Sequence, residues 1–129
     1  MIRHEIERHL VQPQEMEIVL YLDPMLYWFN GHFAVQPLLP GVAQLDWVMH
    51  YATTLLAPGW RFRSIQNVKF LAPLIPETTV TLQLTWQETS QVLTFCYQRH
   101  DGDARHTASS GKILSLIHIS EPTRRRGIS

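Results

Sequence analysis

The sequence predicts an α+β domain in which one long helix is covered by an antiparallel sheet. Three observations lead to this fold class: one helical apolar repeat between residues 42 and 56, alternating strands on both sides of it, and tight turn signals between the later strands. The length of 129 residues fits a single domain. A lone apolar helix needs a sheet to cover it, and a curved sheet wrapped around it is the most economical arrangement.

Two strands and a long loop are predicted before the helix. Residues 2–10 are too polar for a core element and fit an edge strand. In residues 15–22 apolar side chains alternate onto one face, with Glu15 and Glu17 opposite, and Asp23-Pro24 ends the strand. Residues 25–39 are aromatic and irregular, and we expect an ordered loop of the kind that carries functional sites.

The helix is expected to begin at Pro40-Gly41 and to end at Ala57-Pro58-Gly59. Its apolar residues recur at helical spacing, and we expect them to face the sheet. They are Val42, Leu45, Val48, Met49, Ala52, Leu55 and Leu56.

Four strands are predicted after the helix, over residues 64–71, 79–86, 92–99 and 106–113. Glu88-Thr89-Ser90 is a turn, and Asp101-Gly102-Asp103 is a hairpin signal. Strict alternation assigns inner and outer faces to the strand 79–86. Val80, Leu82, Leu84 and Trp86 are expected to point inward, and Thr79, Thr81, Gln83 and Thr85 outward.

Composition excludes several classes of protein. Hydrophobic residues make up 45% and charged residues 17%, which is typical of a globular protein. Eleven basic and eleven acidic residues balance, so there is no electrostatic reason to expect nucleic acid or an anionic membrane as partner. The sequence has no apolar run long enough for membrane insertion, and the charged N-terminus is unlike a signal peptide, so we expect a cytoplasmic protein. The lone cysteine, Cys96, can form neither an internal disulfide nor a thiolate metal cluster.

The last residues, 114–129, resemble a translated sequencing-library adapter. The run LSLIHISEPTR begins at Leu114, and the following residues fit an index and the rest of the adapter read in the same frame. We therefore assign residues 1–113 to the domain and treat residues 114–129 as an artefact tail. The tail carries three arginines and one glutamate, so leaving it out makes the domain slightly acidic.

One segment, residues 29–50, has the residue types of a catalytic site. His32 follows Gly31 in the loop, and Asp46 and His50 lie one turn apart on the predicted helix. Asp46 falls at the margin of the apolar stripe, where a carboxylic acid can stay protonated near neutral pH and act as a proton donor. Gly41 begins the helix, where unbonded N–H groups favour developing negative charge. These parts suffice to remove a proton α to a carbonyl and to expel a β-hydroxyl.

Each of these residues also has a simpler, structural interpretation. A histidine after a glycine in a loop, a solvated aspartate at a helix margin and a glycine at a helix start are all common without catalysis. Residue pattern alone leaves both interpretations open. Cys96, His100 and His106 are expected to be ordinary sheet and turn residues rather than a nucleophile or a metal site.

The segment also resembles the active-site motif of the hotdog-fold 3-hydroxyacyl-acyl-carrier-protein dehydratases of the FabA/FabZ type. Their motif stands here as Gly31-His32-Phe33, Pro40-Gly41-Val42 and then Asp46, fourteen residues after His32, which is the family's interval. Residues 67–84 are similar to the family's strand after the helix. The helix sequence GVAQLDWVMHYA is most similar to the dehydratase-like subgroup of aryl polyene biosynthesis clusters (ApeI-like).

The resemblance implies a hotdog fold, a homodimer with continuous sheets, and active sites shared between protomers. His32 of one protomer would remove the α-proton, and Asp46 of the other would assist departure of the β-hydroxyl as water. The Gly41 amide would hold the thioester oxygen, with Phe33 and Val42 beside the substrate. The acyl group would arrive on the phosphopantetheine of acyl carrier protein, and no metal or organic cofactor is implied.

Two departures from the family pattern keep other interpretations open. Ala34-Val35 replaces the usual Pro-Gly, and His50 stands where these enzymes often have a glutamine that supports the acid. Neutral imidazole can donate a hydrogen bond to Asp46, whereas a protonated one would weaken it as an acid. The rival functions are an acyl thioesterase, which shares the fold, and a non-catalytic acyl-binding subunit that pairs with an active partner.

The tail assignment predicts a specific result at the gene. Because the adapter match begins at Leu114, the coding sequence in the source genome should differ from this sequence from that residue onward. Reading the chromosomal locus across this point checks the prediction, and a chromosomal reading frame that encodes LSLIHISEPTR would contradict it.

Overall fold

The computed structural model describes residues 4–24 and 39–118, which contain six strands and one helix. All six strands belong to one antiparallel sheet in the order β1-β2-β4-β5-β6-β3, and the helix packs on one face of it. The elements are β1 (His4–Gln12), β2 (Glu15–Tyr21), α1 (Gly41–Tyr51), a π-helical turn (Ala52–Leu56), β3 (Trp60–Phe70), β4 (Thr79–Gln87), β5 (Val92–Asp101) and β6 (Ala104–His118).

This is the α+β arrangement that the sequence predicts, with one helix against an antiparallel sheet. Every predicted strand is present, although β3 begins earlier than expected, at Trp60. Strand β6 continues through His118, where its backbone pairs with Trp60. Continued pairing follows from backbone hydrogen bonding alone, so the origin of residues 114–129 stays a prediction.

The inner face of the sheet is the one that the alternation predicts. Its side chains are almost fully buried against α1 and form the core. They include Met16, Ile18, Leu20 and Leu22, then Val80, Leu82, Leu84 and Trp86, and Leu93, Phe95 and Tyr97. The two-residue turn Gly102-Asp103 joins β5 to β6, and Gly102 has a φ of 63°, which a glycine adopts without strain.

The predicted buried face of the helix is confirmed at Val48 and Ala52, which are fully buried, but it is wrong at Val42. Four other predicted residues pack partly buried against the core: Leu45, Met49, Leu55 and Leu56. The residues that face the sheet are Ala43, Gln44, Trp47, Val48 and Tyr51. Val42 is 66% exposed, on the opposite side. Two causes explain the error: the large rings of Trp47 and Tyr51 dominate the packing, and the backbone leaves α-helical geometry after Tyr51, so Leu55 and Leu56 no longer follow the same angular series.

Threonine side chains accompany this change of geometry. Thr53 Oγ1 donates to the carbonyl of Met49 at 2.8 Å, and Thr54 Oγ1 donates to that of His50 at 2.6 Å. Such back-bonding competes with the helical ladder and bends helices. The wide turn closes with a hydrogen bond from the amide of Ala57 to the carbonyl of Ala52, at 2.7 Å, and the helix ends at Ala57 as predicted.

Two functional possibilities find no support within the described ranges 4–24 and 39–118. No helix there has the length and apolar character that crossing a bilayer requires. No group of three or more His, Cys, Asp or Glu side chains comes together there as a metal site would need.

Thr81 lies on the predicted outer face of β4, beside His100 of β5. It is fully buried, and its Oγ1 lies 2.6 Å from Nε2 of His100 on β5. Burial, assisted by the positive charge of Arg105, lowers the pKa of His100. His106, across the same hairpin, is exposed and lies 3.8 Å from Asp101.

The lowered pKa of His100 predicts a pH dependence of stability. Below about pH 6.5, the unfolded chain takes up a proton at His100, whereas the folded chain takes it up only at lower pH. The free energy of unfolding should therefore decrease as the pH falls below about 6.5. Urea denaturation of the protein and of His100→Gln at several pH values measures this, because the variant should lose less stability on acidification. His106→Gln is the matched control and should behave like the parent. Equal acid sensitivity of the parent and His100→Gln would refute the prediction.

Candidate active site

The structure places four of the predicted site residues on α1. Gly41 and Val42 form the start of the helix, Asp46 follows one turn later, and His50 one turn after that. His32 and Phe33 lie among residues 25–38, outside the described residues. The predicted long loop falls on the same segment.

The start of α1 has the features that an anion-binding helix end needs. Pro40 caps it in an extended conformation, with no side-chain cap and no acidic residue in the first turn. The amides of Ala43 and Gln44 donate to the carbonyl of Pro40, at 3.0 and 3.1 Å. In the part of the chain that the structure describes, no backbone carbonyl accepts from the amide of Gly41, so this amide can serve an oxyanion.

An aromatic ring lies directly over this helix start. A Cβ atom at Gly41 would sit 2.7 Å from Cζ of Phe70, so a larger residue here would displace this half-exposed ring. Beside the ring is an open cleft of about 240 Å³ with mainly apolar walls. The cleft is lined by Leu39, Gly41, Gln44, Phe70, Leu71, Ala72 and Pro73.

Asp46 and His50 lie on the face of α1 that points away from the sheet. Both are exposed in the protomer, so the predicted position of Asp46 at the margin of the buried stripe is wrong. The reason is the rotated packing of the helix around Trp47 and Tyr51. The ring of His50 makes an edge contact with Tyr51, with centroids 5.2 Å apart, and no hydrogen bond joins His50 to Asp46 within the described residues.

Gln44 is a site residue that the sequence analysis missed. Its carboxamide is buried at 3% exposure and bridges two partners: Nε2 donates to the carbonyl of Leu39 at 3.0 Å, and Oε1 accepts from Ser109 Oγ at 2.7 Å. The signal in the sequence was an uncharged polar residue one turn before Trp47. Gln44 is not part of the apolar repeat that was expected to face the sheet, so its burial was not predicted.

One long helix on a six-stranded antiparallel sheet defines this protein as a hotdog-fold domain. The dehydratase domain from the CurF module of curacin polyketide synthase has the same fold, with a TM-score of 0.68 at 16% identity over 88% of this chain and 42% of that one. A family model described as ApeI dehydratase matches residues 8–112. The chain belongs to the ApeI-like dehydratase family, which confirms the predicted resemblance.

More similar structures cover nearly the whole chain. A chain of the dehydratase heterocomplex ApeI:P from Xenorhabdus doucetiae is 55% identical, with a TM-score of 0.83 over 91% of this chain and all of that one. An uncharacterized protein from Erwinia carotovora subsp. atroseptica is 53% identical, with a TM-score of 0.83 over 90% of this chain and 97% of that one.

Curated relatives match over a shorter region. The 3-hydroxyacyl-[acyl-carrier-protein] dehydratase FabZ of Klebsiella pneumoniae subsp. pneumoniae is 34% identical over 77 residues, which is 52% of this chain and 50% of that protein. The chain therefore spans about half the length of the curated relatives it matches.

Proposed function

We propose that this protein dehydrates 3-hydroxyacyl thioesters carried on acyl carrier protein to the 2-enoyl thioesters, in fatty acid or aryl polyene type biosynthesis. The observation that carries the proposal is the open start of α1 at Gly41, beside an apolar cleft and one turn before Asp46. Membership in the ApeI-like dehydratase family supports it.

The chemistry is an elimination that side chains can perform by proton transfer. His32 takes the proton from C2 of the acyl group, and the electrons of that C–H bond form the C2=C3 double bond. The C3–O bond breaks as Asp46 donates a proton to the hydroxyl, which leaves as water. The Gly41 amide stabilises the negative charge on the thioester oxygen. All atoms and charges balance without a metal or an organic cofactor, so we propose that none is needed.

An exposed apolar surface supports a homodimer. Three apolar residues are more than half exposed: Val42 on α1, Phe70 at the end of β3, and Leu71 after it. The closeness of the Phe70 ring to Gly41 joins them into one surface. Ile65, on the edge strand β3, is 52% exposed. An apolar surface beside a sheet edge is typical of a protein interface. A second copy here would cover Asp46, as the shared site implied by the family resemblance requires.

A two-protein assembly is the alternative that a comparison favours. The relative from Xenorhabdus doucetiae comes from a heterocomplex, so this chain, with Ala34-Val35 in place of the family's Pro-Gly, would then be one subunit of such a complex. Activity of the purified chain alone separates the two cases. A cytoplasmic location and acyl carrier protein as partner stay predictions.

The proposed reaction is tested by mass spectrometry of acyl carrier protein loaded with 3-hydroxyacyl groups of several kinds. We expect an enoyl thioester that has lost one water. His32→Ala and Asp46→Ala should each reduce turnover about a hundredfold or more, the scale for a positioned acid or base. His106→Ala, on the exposed hairpin, is the control and should keep the rate. Release of a free acid would instead identify a thioesterase.

The shared site predicts recovery of activity on mixing two inactive variants. Sedimentation should first give twice the chain mass of 15.0 kDa. When His32→Ala and Asp46→Ala exchange subunits, each mixed dimer regains one site with both groups intact and loses the other. Partial turnover should return. Proven exchange without recovery would mean that both groups act within one chain, and a fully active monomer would exclude the shared site.

A further inference from the structure

Gln44 carries a buried hydrogen-bonding group to which the proposed reaction assigns no role. It lies in the first turn of α1, three residues after Gly41, and lines the cleft beside the helix start. A buried carboxamide is costly unless both of its ends are paired. Here Nε2 is paired with the carbonyl of Leu39 and Oε1 with the hydroxyl of Ser109.

The bond to Leu39 fixes the chain just before the helix. The carbonyl of Leu39 accepts from Gln44, and its amide donates to the carbonyl of Leu74 at 2.7 Å, so the residue is held from two sides. Leu39 is fully buried and connects residues 25–38, which include His32, to Pro40 and the helix start. Its position therefore affects the Gly41 amide, two residues further on.

The helix itself has a separate anchor. Tyr97 Oη on β5 donates to the main-chain carbonyl of Gln44 at 2.6 Å. This bond does not involve the Gln44 side chain, and Trp47 and Val48 bury the next turn. Loss of the carboxamide would thus leave α1 on the sheet, while the carbonyl of Leu39 would lose its partner in a buried position.

We propose that Gln44 is a positioning residue for the dehydration, acting through the carbonyl of Leu39. It holds the linker Leu39-Pro40 so that the Gly41 amide keeps a fixed position at the helix start. A buried carbonyl without a partner moves toward water or another donor, and a displacement of about 1 Å at a catalytic site can lower rates up to a hundredfold. The inference rests on the function proposed above.

The first test compares Gln44→Leu with Tyr97→Phe. Each variant removes buried hydrogen bonding at Gln44, but only Gln44→Leu frees the carbonyl of Leu39. Gln44→Leu should lower kcat about tenfold or more with KM changed less than about threefold, because the oxyanion contact acts in the transition state. Tyr97→Phe should keep kcat within about twofold at a comparable loss of thermal stability. A normal kcat for Gln44→Leu, or equal losses in both variants, would overturn the proposal.

The second test uses Gln44→Glu, which makes the bond to Leu39 depend on pH. A protonated glutamic acid can donate to the carbonyl of Leu39 and accept from Ser109, whereas the carboxylate cannot donate and repels the carbonyl. The ratio of the variant's kcat to that of the parent should therefore fall as pH rises from about 5.5 to 8.5. A ratio independent of pH would overturn the assignment, since a general packing defect would give this result.

The two proposals can fail separately. If the parent gives no enoyl product, or if His32→Ala and Asp46→Ala keep the parent rate, the proposed function fails. If those variants lose activity while Gln44→Leu keeps it, the dehydratase stands and the positioning role of Gln44 falls.

Discussion

The packing of Trp47 and Tyr51 against the sheet determines which side of the helix remains for chemistry. Both rings are almost fully buried, and a buried side chain of this size stabilises the fold by about 2–3 kcal/mol. Because they occupy one face of α1, Val42 and Asp46 must point away from the sheet. The packing of one chain thus leaves Asp46 uncovered on the opposite face of the helix, and the proposed second chain would cover it.

The first turn of α1 depends on polar rather than apolar contacts. The ring of Phe70 lies directly over Gly41. The main-chain carbonyl of Gln44 accepts a hydrogen bond from β5, and its side chain bonds to β6 and to Leu39. Hydrogen bonds restrict both distance and direction, whereas apolar side chains in contact can shift slightly against one another. A helix start that must present one amide at a fixed place benefits from the side-chain bond of Gln44 to Leu39, which gives a reason for a carboxamide inside the core.

Much of the fold could be predicted because strand periodicity is robust. In each strand with alternating apolar residues the predicted inner face is buried, because alternation places all of these side chains on one side of the sheet. Which side of the helix faces the sheet could not be predicted in full, because Leu45 and Met49 are as apolar as Val48. The shape of the sheet selects the face that carries Trp47 and Tyr51, and the helix sequence does not contain that information. Asp46 was named as a site residue from its spacing after His32, and its role stays a prediction. Gln44 was missed because its partners, Leu39 and Ser109, are distant in sequence or hidden in the helix entry, and only tertiary contacts reveal them.

The two edges of the sheet differ in a way that bears on the proposed interface. On β1, Glu5 and Arg8 form a forked ion pair on the helix side of the sheet, where Tyr51 Oη also bonds Glu5 and its ring lies 5.9 Å from the Arg8 guanidinium. Inward-pointing charges and the register shifts near both ends of β1 hinder pairing with another strand. At the β3 end of the sheet, the exposed ring of Phe70 lies beside Gly41, so one apolar surface extends from the sheet edge to the helix start. An interface at this end would therefore cover the apolar surface and the candidate site in one step, whereas an interface at β1 would leave both exposed.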